Sequence, residues 1–428
     1  MPGIYEYIER CGGEPFGAVP FGDADNLTFC QVFYMPFEQV VPASFDAEPT
    51  SFVAAVNELF ARRGYKHKKL GLMIPNDASV NMMRMAVQPR FASLKLYAVQ
   101  EVFETNPAVQ FCAGTFLLPD GTAVVIFRGT DDSITGWKED LDIFVRKGIP
   151  SYPLAIAYLK NVAAHCSGDI IICGHSKGGH LGLFAALKSD KAIRDRIVGI
   201  YNNDGPGYCD YSVLQMDEYD ELLPRYRHLV PHSSFVGMML AHDYDYTAVR
   251  SSKHLGPMQH DMASWQIDGG KVVTQADVDI LAKLTDVTLS DIVTRVTDAQ
   301  GAVVDYVANV LIEATGETYL TGLVKHAAKA VGGAVNAWKE LAPDTKETFK
   351  SAFKGAGKIL VNDIKHIKEK KIPDAANAAA MLVRRVTAKN YSGSLKRMTG
   401  RFRRQRGCCR NRLSEIYLKK FQKTLAFF

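Results

Sequence analysis

The sequence lacks the features that mark several common classes of protein. No apolar run approaches the roughly 20 residues that a bilayer-spanning helix needs, so we predict no transmembrane helix. Residues 1–16 carry acidic side chains and no apolar core segment, which argues against a signal peptide. The sequence contains neither a Walker loop nor a dinucleotide-binding fingerprint, and no internal repeat.

The cysteines show no pattern that is typical of a metal site. The chain has 428 residues and 8 cysteines, none of them in a Cys-x-x-Cys or Cys/His zinc spacing. In a chain of this length, scattered cysteines indicate reduced thiols and a cytoplasmic protein, not a disulfide framework. We therefore expect neither a metal nor another cofactor.

The net charge of +5 conceals a strong asymmetry. From residue 361 to the end there are 18 Lys/Arg and 4 Asp/Glu, whereas the preceding part has 33 and 42. An acidic body and a basic tail predict two functional parts. Three interpretations of the tail are open: nucleic-acid binding, contact with an anionic membrane surface, or a solvated tail. Aromatic residues among the arginines favour contact of the tail with a membrane surface, and thus a protein peripheral to the membrane, over nucleic-acid binding.

The pattern of apolar residues changes along the chain. Strands and helices alternate up to about residue 270, which predicts a mostly parallel sheet with helices on both faces. We predict an α/β domain over 1–272, a helical region over 273–372 and a basic tail over 373–428. The predicted strands are 94–100, 110–118, 122–127, 169–173, 196–202, 226–230 and 246–251, with helices at 51–63, 152–164 and 175–187. The strands 110–118 and 122–127 form a hairpin through Pro-Asp-Gly at 119–121.

One segment carries the chemistry most directly. An apolar strand leads into Gly174-His175-Ser176-Lys177-Gly178, and a helix rich in small residues follows. Such a Gly-x-Ser-x-Gly turn strains the serine backbone and holds its hydroxyl at a helix N-terminus, where the dipole favours negative charge. Ser176 is therefore predicted to be a nucleophile. The alternative is a glycine-rich turn without catalysis.

Acyl transfer also needs two N–H donors directed at the developing oxyanion. The Lys177 amide, directly after the nucleophile, is predicted to be one of them. The strand 122–127 ends in Arg-Gly-Thr at 128–130, which can present a second N–H beside the serine. We expect Asp140 to brace this segment and the Lys177 side chain to point to solvent.

Phe-Arg-Gly-Thr at 127–130, Trp137, Asp140 and Gly-His-Ser-Lys-Gly-Gly at 174–179 together resemble the class 3 (fungal triacylglycerol) lipases. The sequence is more similar to a bacterial family of lipase-like α/β hydrolases of unknown function. That similarity rests on segments 20–21, 25–27, 203–208 and 234–238, and on 259–261 before Trp265. It covers about residues 1–270 and implies the α/β-hydrolase fold, ester hydrolysis and Thr130 as the residue at the oxyanion position.

The general base should be a histidine that follows the serine in the chain. The candidates are His180, His228, His232, His242, His254 and His260. His260 follows the last predicted strand and precedes Trp265 by five residues, as the lipase histidine precedes its aromatic segment. We predict His260 as the base, with His254 as the second choice.

The acid departs from the lipase pattern, since class 3 lipases carry it just after the strand that corresponds to 226–231. Here His-Ser-Ser follows at 232–234, without a carboxylate. Asp204 follows the preceding strand, and the Gly-Pro-Gly run after it could aim its carboxylate at the imidazole. We predict Asp204; Asp243, Asp245 and a Ser-His dyad remain alternatives, and Asp204 could instead stabilise a turn.

Together these features predict a lipase- or esterase-like serine hydrolase that forms an acyl-enzyme on Ser176. A small-molecule or lipid ester, such as an acylglycerol or a phospholipid, is the expected substrate. The alternative is a hydrolase-fold binding or effector protein with weak or no catalysis, acting through the basic helical tail.

Overall fold

The computed structural model describes residues 2–63, 78–234, 236–240, 242, 246–254, 256–279, 282 and 343. All of them belong to one compact unit, Met1–Phe353. The basic tail, Asp243 and Asp245 lie outside the described residues, as does the predicted helical region 273–372 apart from 273–279, 282 and 343. The predicted domain boundaries stay a prediction.

Five helices in the N-terminal part of the chain pack on one face of the central sheet. They are α1 (Ile4–Cys11), α2 (Asp23–Val32), α3 (Phe52–Arg63), α4 (Ala78–Val87) and α5 (Pro89–Ala92). The helix predicted at 51–63 is confirmed as α3. The sequence did not predict α2, since every residue of this helix is buried and it therefore has no amphipathic stripe.

The central sheet has eight strands, and their order in the sheet is their order in the chain. They are β1 (Thr50–Ser51), β2 (Lys95–Thr105), β3 (Ala108–Leu117), β4 (Ala123–Phe127), β5 (Ile170–His175), β6 (Ile197–Asn203), β7 (Tyr226–Pro231) and β8 (Tyr246–Val249). Strands β1 to β4 pair antiparallel and β4 to β8 pair parallel. The predicted α/β-hydrolase fold, with a mostly parallel sheet entered through an antiparallel hairpin, is confirmed.

Further helices lie between and after the parallel strands. They are α6 (Ile134–Val145), α7 (Ser151–His165), α8 (Lys177–Leu187), α9 (Lys191–Arg194), α10 (Asp217–Leu222) and α11 (Gly256–Gln259), and a small hairpin of β9 (Ile267–Asp268) and β10 (Lys271–Val272) follows. The Ser133 hydroxyl caps α6 by accepting from the Gly136 N–H. Within the described part of the chain, no helix is long and apolar enough to cross a membrane.

The sheet separates two apolar cores. Val124 and Ile126 of β4 face the N-terminal helices, whereas Val125 and Phe127 face the other side, in a cluster with residues of α7 and α8. This alternation follows from the two-residue period of a strand. Because both faces of β4 are buried, its sequence is a continuous apolar run.

The ends of the parallel strands define where the site lies. Phe127, His175 and Asn203 are the last residues of β4, β5 and β6. In parallel sheets the loops after the carboxyl ends of the strands share one edge, where ligands bind. The segments that begin with Arg128, Ser176 and Asp204 therefore meet at this edge.

Candidate active site

Ser176 occupies the sharp turn between β5 and α8. Its φ of 56° and ψ of −130° lie in a region that few residues other than glycine adopt. The Ser176 N–H donates to the Asn203 carbonyl oxygen at 3.0 Å, which fixes the turn against the end of β6. The strained backbone that the Gly-x-Ser-x-Gly pattern predicts is thus present, with the serine side chain half-buried.

The glycines of this motif allow α8 to cross the sheet at very short range. A Cβ on Gly178 would lie 1.9 Å from the Phe127 carbonyl oxygen, and one on Gly174 would lie 2.2 Å from the Gly178 carbonyl carbon. Both contacts are with backbone atoms, which cannot rotate away. The start of α8 is therefore pressed against the end of β4, next to the Arg-Gly-Thr segment.

The Arg-Gly-Thr segment itself packs against the turn that carries Ser176. A Cβ on Gly129 would lie 3.2 Å from the Ser176 Cβ and 2.5 Å from the His175 carbonyl oxygen. Thr130 follows, and its hydroxyl donates to Asp140 Oδ1 at 2.6 Å. This hydrogen bond is the bracing contact expected of Asp140. Lys177 is the first residue of α8, so its N–H has no partner within the helix.

Asp140 has an altered acidity in this setting. Its side chain is 22% exposed, and burial raises its pKa from 3.8 to about 6. The Lys177 ammonium, 4.0 Å away, and the Thr130 hydrogen bond both oppose this rise. The carboxyl is thus poised to change its charge in mildly acidic solution.

His260 and Asp204, which are 56 residues apart in the chain, form a buried hydrogen bond of 2.8 Å between Nδ1 and Oδ2. The second oxygen of Asp204, Oδ1, accepts from the Ser234 hydroxyl and, at 3.0 Å, from the Gly237 N–H. Asp204 has a φ of 53°, so the backbone turns sharply where β6 ends. The carboxylate is therefore fixed on both sides and presented to the imidazole.

The sequence did not assign a role to Ser234. It stands just after β7, where the class 3 lipases carry their acid, and here its hydroxyl binds the carboxylate of Asp204 instead. The only signal in the sequence was the absence of a carboxylate at 232–234. That absence indicates an acid elsewhere or a Ser-His dyad, and it does not show what the serine binds.

His175 holds the backbone of His260. Its Nε2 lies 2.8 Å from the His260 carbonyl oxygen, which can only accept, so Nε2 carries the proton. Its Nδ1 then accepts from the Tyr34 hydroxyl at 2.8 Å. Burial, and secondarily the neighbouring His260, lower the pKa of His175 well below its usual value, which keeps the ring neutral. The sequence predicted neither this contact nor Tyr34.

The other candidate bases that the structure describes are bound elsewhere or exposed. His180 is buried, with Nε2 2.7 Å from the Tyr152 hydroxyl, and burial lowers its pKa to about 4. Burial likewise lowers the pKa of His228 to about 3. His254 is exposed. His260 is the candidate that the structure joins to Asp204.

The expectation for the Lys177 side chain was wrong. It is fully buried and its ammonium lies 2.9 Å from Glu139 Oε2, instead of pointing to solvent. The helix start packs against α6, whose Glu139 carboxylate compensates the buried charge. No role for Glu139 was predicted from the sequence, because the pairing depends on how two helices meet.

Glu38, Glu101 and Cys112 are close enough together to consider a metal ion. Both carboxylates are, however, paired with the Arg128 guanidinium, at 3.5 Å in the case of Glu38. The one guanidinium thus engages both carboxylates and offsets part of their charge, and we assign no metal to this cluster.

The fold is that of the α/β-hydrolases, and Ser176 stands at the turn between β5 and α8. The chain belongs to the Mbeg1-like family, whose model matches residues 85–305. No curated protein matches the chain.

Two solved structures similar to this chain are fungal lipases. The native propeptide complex of Rhizomucor miehei lipase has a TM-score of 0.31 and 15% identity over 53% of this chain and 67% of that one. Lipase II from Rhizopus niveus has a TM-score of 0.28 and 14% identity over 52% of this chain and 82% of that one.

Proposed function

We propose that this protein is a serine hydrolase of carboxylic esters, of the lipase or esterase type and related to the class 3 lipases. The observation that carries the proposal is the buried hydrogen bond between His260 and Asp204, at 2.8 Å, on the edge of the sheet where Ser176 lies. A nucleophile, a base and an orienting acid are the groups that acyl transfer through a covalent intermediate requires.

In the proposed reaction, the Ser176 hydroxyl attacks the ester carbonyl carbon while His260 Nε2 takes its proton. Asp204 holds the Nδ1 proton and stabilises the imidazolium that forms. The tetrahedral intermediate then collapses, the C–O bond breaks, and the leaving alcohol receives the proton from His260. Water repeats the sequence on the acyl-enzyme, releases the carboxylic acid and restores Ser176.

The oxyanion of each tetrahedral intermediate would be bound by two backbone amides, those of Thr130 and Lys177. The Thr130 hydroxyl already donates to Asp140, so its N–H is the group that serves the oxyanion. The Lys177 N–H adds the positive end of the α8 dipole. Two fixed donors match one oxygen that becomes negative in the transition state.

The alternative, a binding or effector protein without catalysis, drew its support from the missing acid after β7. The hydrogen bond between Asp204, at the end of β6, and His260 supports an acid at a different position in the chain. We therefore favour the enzyme. A role for the basic tail at an anionic membrane surface, and a cytoplasmic location, remain predictions, as do the acyl chain and the headgroup of the substrate.

Labelling with a fluorophosphonate probe tests the proposal, because the probe reacts only with an activated serine. Wild-type protein should be labelled on Ser176, and Ser176→Ala should not be labelled. Ser212→Ala is the matched control, because it removes an exposed serine hydroxyl that has no part in the proposed reaction. This variant should react like wild type. No labelling of wild type, or equal labelling of Ser176→Ala, would refute the proposal. Esters of p-nitrophenol with increasing acyl length then define the substrate.

A further inference from the structure

The side chain of Lys177 makes a complete set of hydrogen bonds inside the protein. An ammonium group has three donors. They meet the Gln110 carbonyl oxygen at 2.7 Å, Gln110 Oε1 at 2.8 Å and Glu139 Oε2 at 2.9 Å. Neither the Lys177 nor the Glu139 side chain is exposed to solvent. The charge is thus held in one geometry.

Glu139 is bound as completely as Lys177. Its carboxylate accepts from the Gln110 N–H and the Ser151 N–H, each at 3.0 Å, and from the Ser151 hydroxyl. The pair therefore connects β3, α6, the start of α7 and the start of α8. A buried ion pair is weak evidence for stability, because apolar residues of similar size often stabilise as well or better. The fixed geometry of the Lys177–Glu139 pair therefore calls for an explanation other than stability.

The pair is connected to the residues of both proposed oxyanion donors. Lys177 contributes one donor with its own N–H, at the first position of α8. Glu139 precedes Asp140, whose carboxylate holds the hydroxyl of Thr130, the residue of the other donor, at 2.6 Å. The Lys177 ammonium also lies 4.0 Å from Asp140 Oδ1. One rigid network thus reaches from α8 to the Thr130 segment.

We propose that Lys177 and Glu139 are positioning residues that fix the spacing of the two oxyanion donors by tying the start of α8 to α6. The inference rests on the proposed esterase function. Oxyanion donors act only within a narrow range of distance, and loss of one donor lowers kcat about 100- to 1000-fold in well-characterised hydrolases. A pair that sets this spacing acts on the transition state and leaves ground-state binding of the ester unchanged.

The test compares kcat and KM of Lys177→Met and Glu139→Gln with wild type on a short p-nitrophenyl ester. Rates are expressed per reactive Ser176, counted from the end point of fluorophosphonate labelling. We expect kcat to fall by about 100-fold in Lys177→Met and by at least about 10-fold in Glu139→Gln, with KM within about threefold of wild type. The double variant leaves no lone buried charge and carries the same expectation where a single variant does not fold.

Arg90→Met is the matched control, because Arg90 and Asp25 form another buried ion pair, at 2.7 Å. The guanidinium of Arg90 donates hydrogen bonds to Asp25 and to the carbonyl oxygens of Glu14, Val19 and Pro20, and it lies over the Phe16 ring. Its loss should lower stability and leave kcat per reactive serine unchanged.

Each outcome decides the inference. A kcat within threefold of wild type in the folded Lys177 or Glu139 variants overturns the positioning role while the esterase function stands. An effect confined to KM does the same, and so does an equal fall of kcat in Arg90→Met. A wild type that neither hydrolyses esters nor reacts with the probe overturns the proposed function as well, and wild type alone shows this.

Discussion

Replacement of Asp204 by Asn is expected to place the ring proton of His260 on the wrong nitrogen. The Gly237 N–H can only donate and lies 3.0 Å from Oδ1, on the side that also receives the Ser234 hydroxyl. The carbonyl oxygen of the new Asn must stay there, so its NH₂ group faces His260 Nδ1. Nδ1 then accepts, and Nε2 carries the proton. A protonated Nε2 cannot take the proton of Ser176.

The expected cost is large and falls on kcat. In a serine protease, the same change of tautomer at intact geometry lowers kcat about 10⁴-fold, or about 5.4 kcal/mol at about 1.36 kcal/mol per tenfold. The fold should survive, because Asn tolerates a positive φ such as the 53° of Asp204. The assay is hydrolysis of a p-nitrophenyl ester near pH 8, with circular dichroism as the check on folding.

Asp243→Asn and Asp245→Asn are the controls, since these residues were the competing candidates for the acid. Both variants should retain wild-type turnover. A folded Asp204→Asn enzyme with more than a tenth of the wild-type kcat would refute the orienting role. A loss of about 10⁴-fold in Asp243→Asn would move that role to Asp243.

Two further predictions concern stability. Gly178→Ala should lower the free energy of unfolding in urea by about 3 kcal/mol or more, because its Cβ would lie 1.9 Å from the Phe127 carbonyl oxygen. Gly13→Ala is the control, since its Cβ would meet no atom within 4 Å, and its free energy of unfolding should stay within about 0.5 kcal/mol of wild type. Equal losses of stability in the two variants would contradict this steric explanation. Asp140 has its pKa raised from 3.8 to about 6, so its contribution to stability is present below about pH 4 and is lost as the pH rises through 6. Asp140→Asn should therefore be about 1–3 kcal/mol more stable than wild type at pH 8 and nearly equal to it at pH 4, whereas a gain independent of pH would contradict the raised pKa.

Local patterns predicted the framework of the sheet well. The apolar runs predicted as strands at 122–127 and 169–173 are β4 and β5, within two residues at each end, because strands buried on both faces have a distinctive composition. Strand β2, in contrast, continues to Thr105, beyond the predicted end at 100. Its exposed second half is held by pairing with β3 up to Thr105 and Ala108, which local composition does not show.

The candidate site likewise contains residues that the sequence predicted and residues that it could not. The turn that carries Ser176 follows from a contiguous motif, whose glycines are needed for contacts a few residues away. Asp204 was one of several candidates, because its partners His260 and Ser234 come from other segments and only the folded chain brings them together. The burial of Lys177 could not be foreseen, since the compensating Glu139 lies on a different helix.

The hydrogen bond between Tyr34 and His175 bears on where a minimal active fragment could begin. The family match starts at residue 85, and a fragment cut there would lack α1, α2 and Tyr34. It would leave Nδ1 of His175 without its phenol donor, and so loosen the ring that grips the carbonyl of His260. Residues 1–84 would then look dispensable from the family match, although they include Tyr34, which holds His175 against the backbone of His260. Truncation libraries, chimeras with relatives and fusion proteins should therefore keep the N-terminal helices together with the sheet.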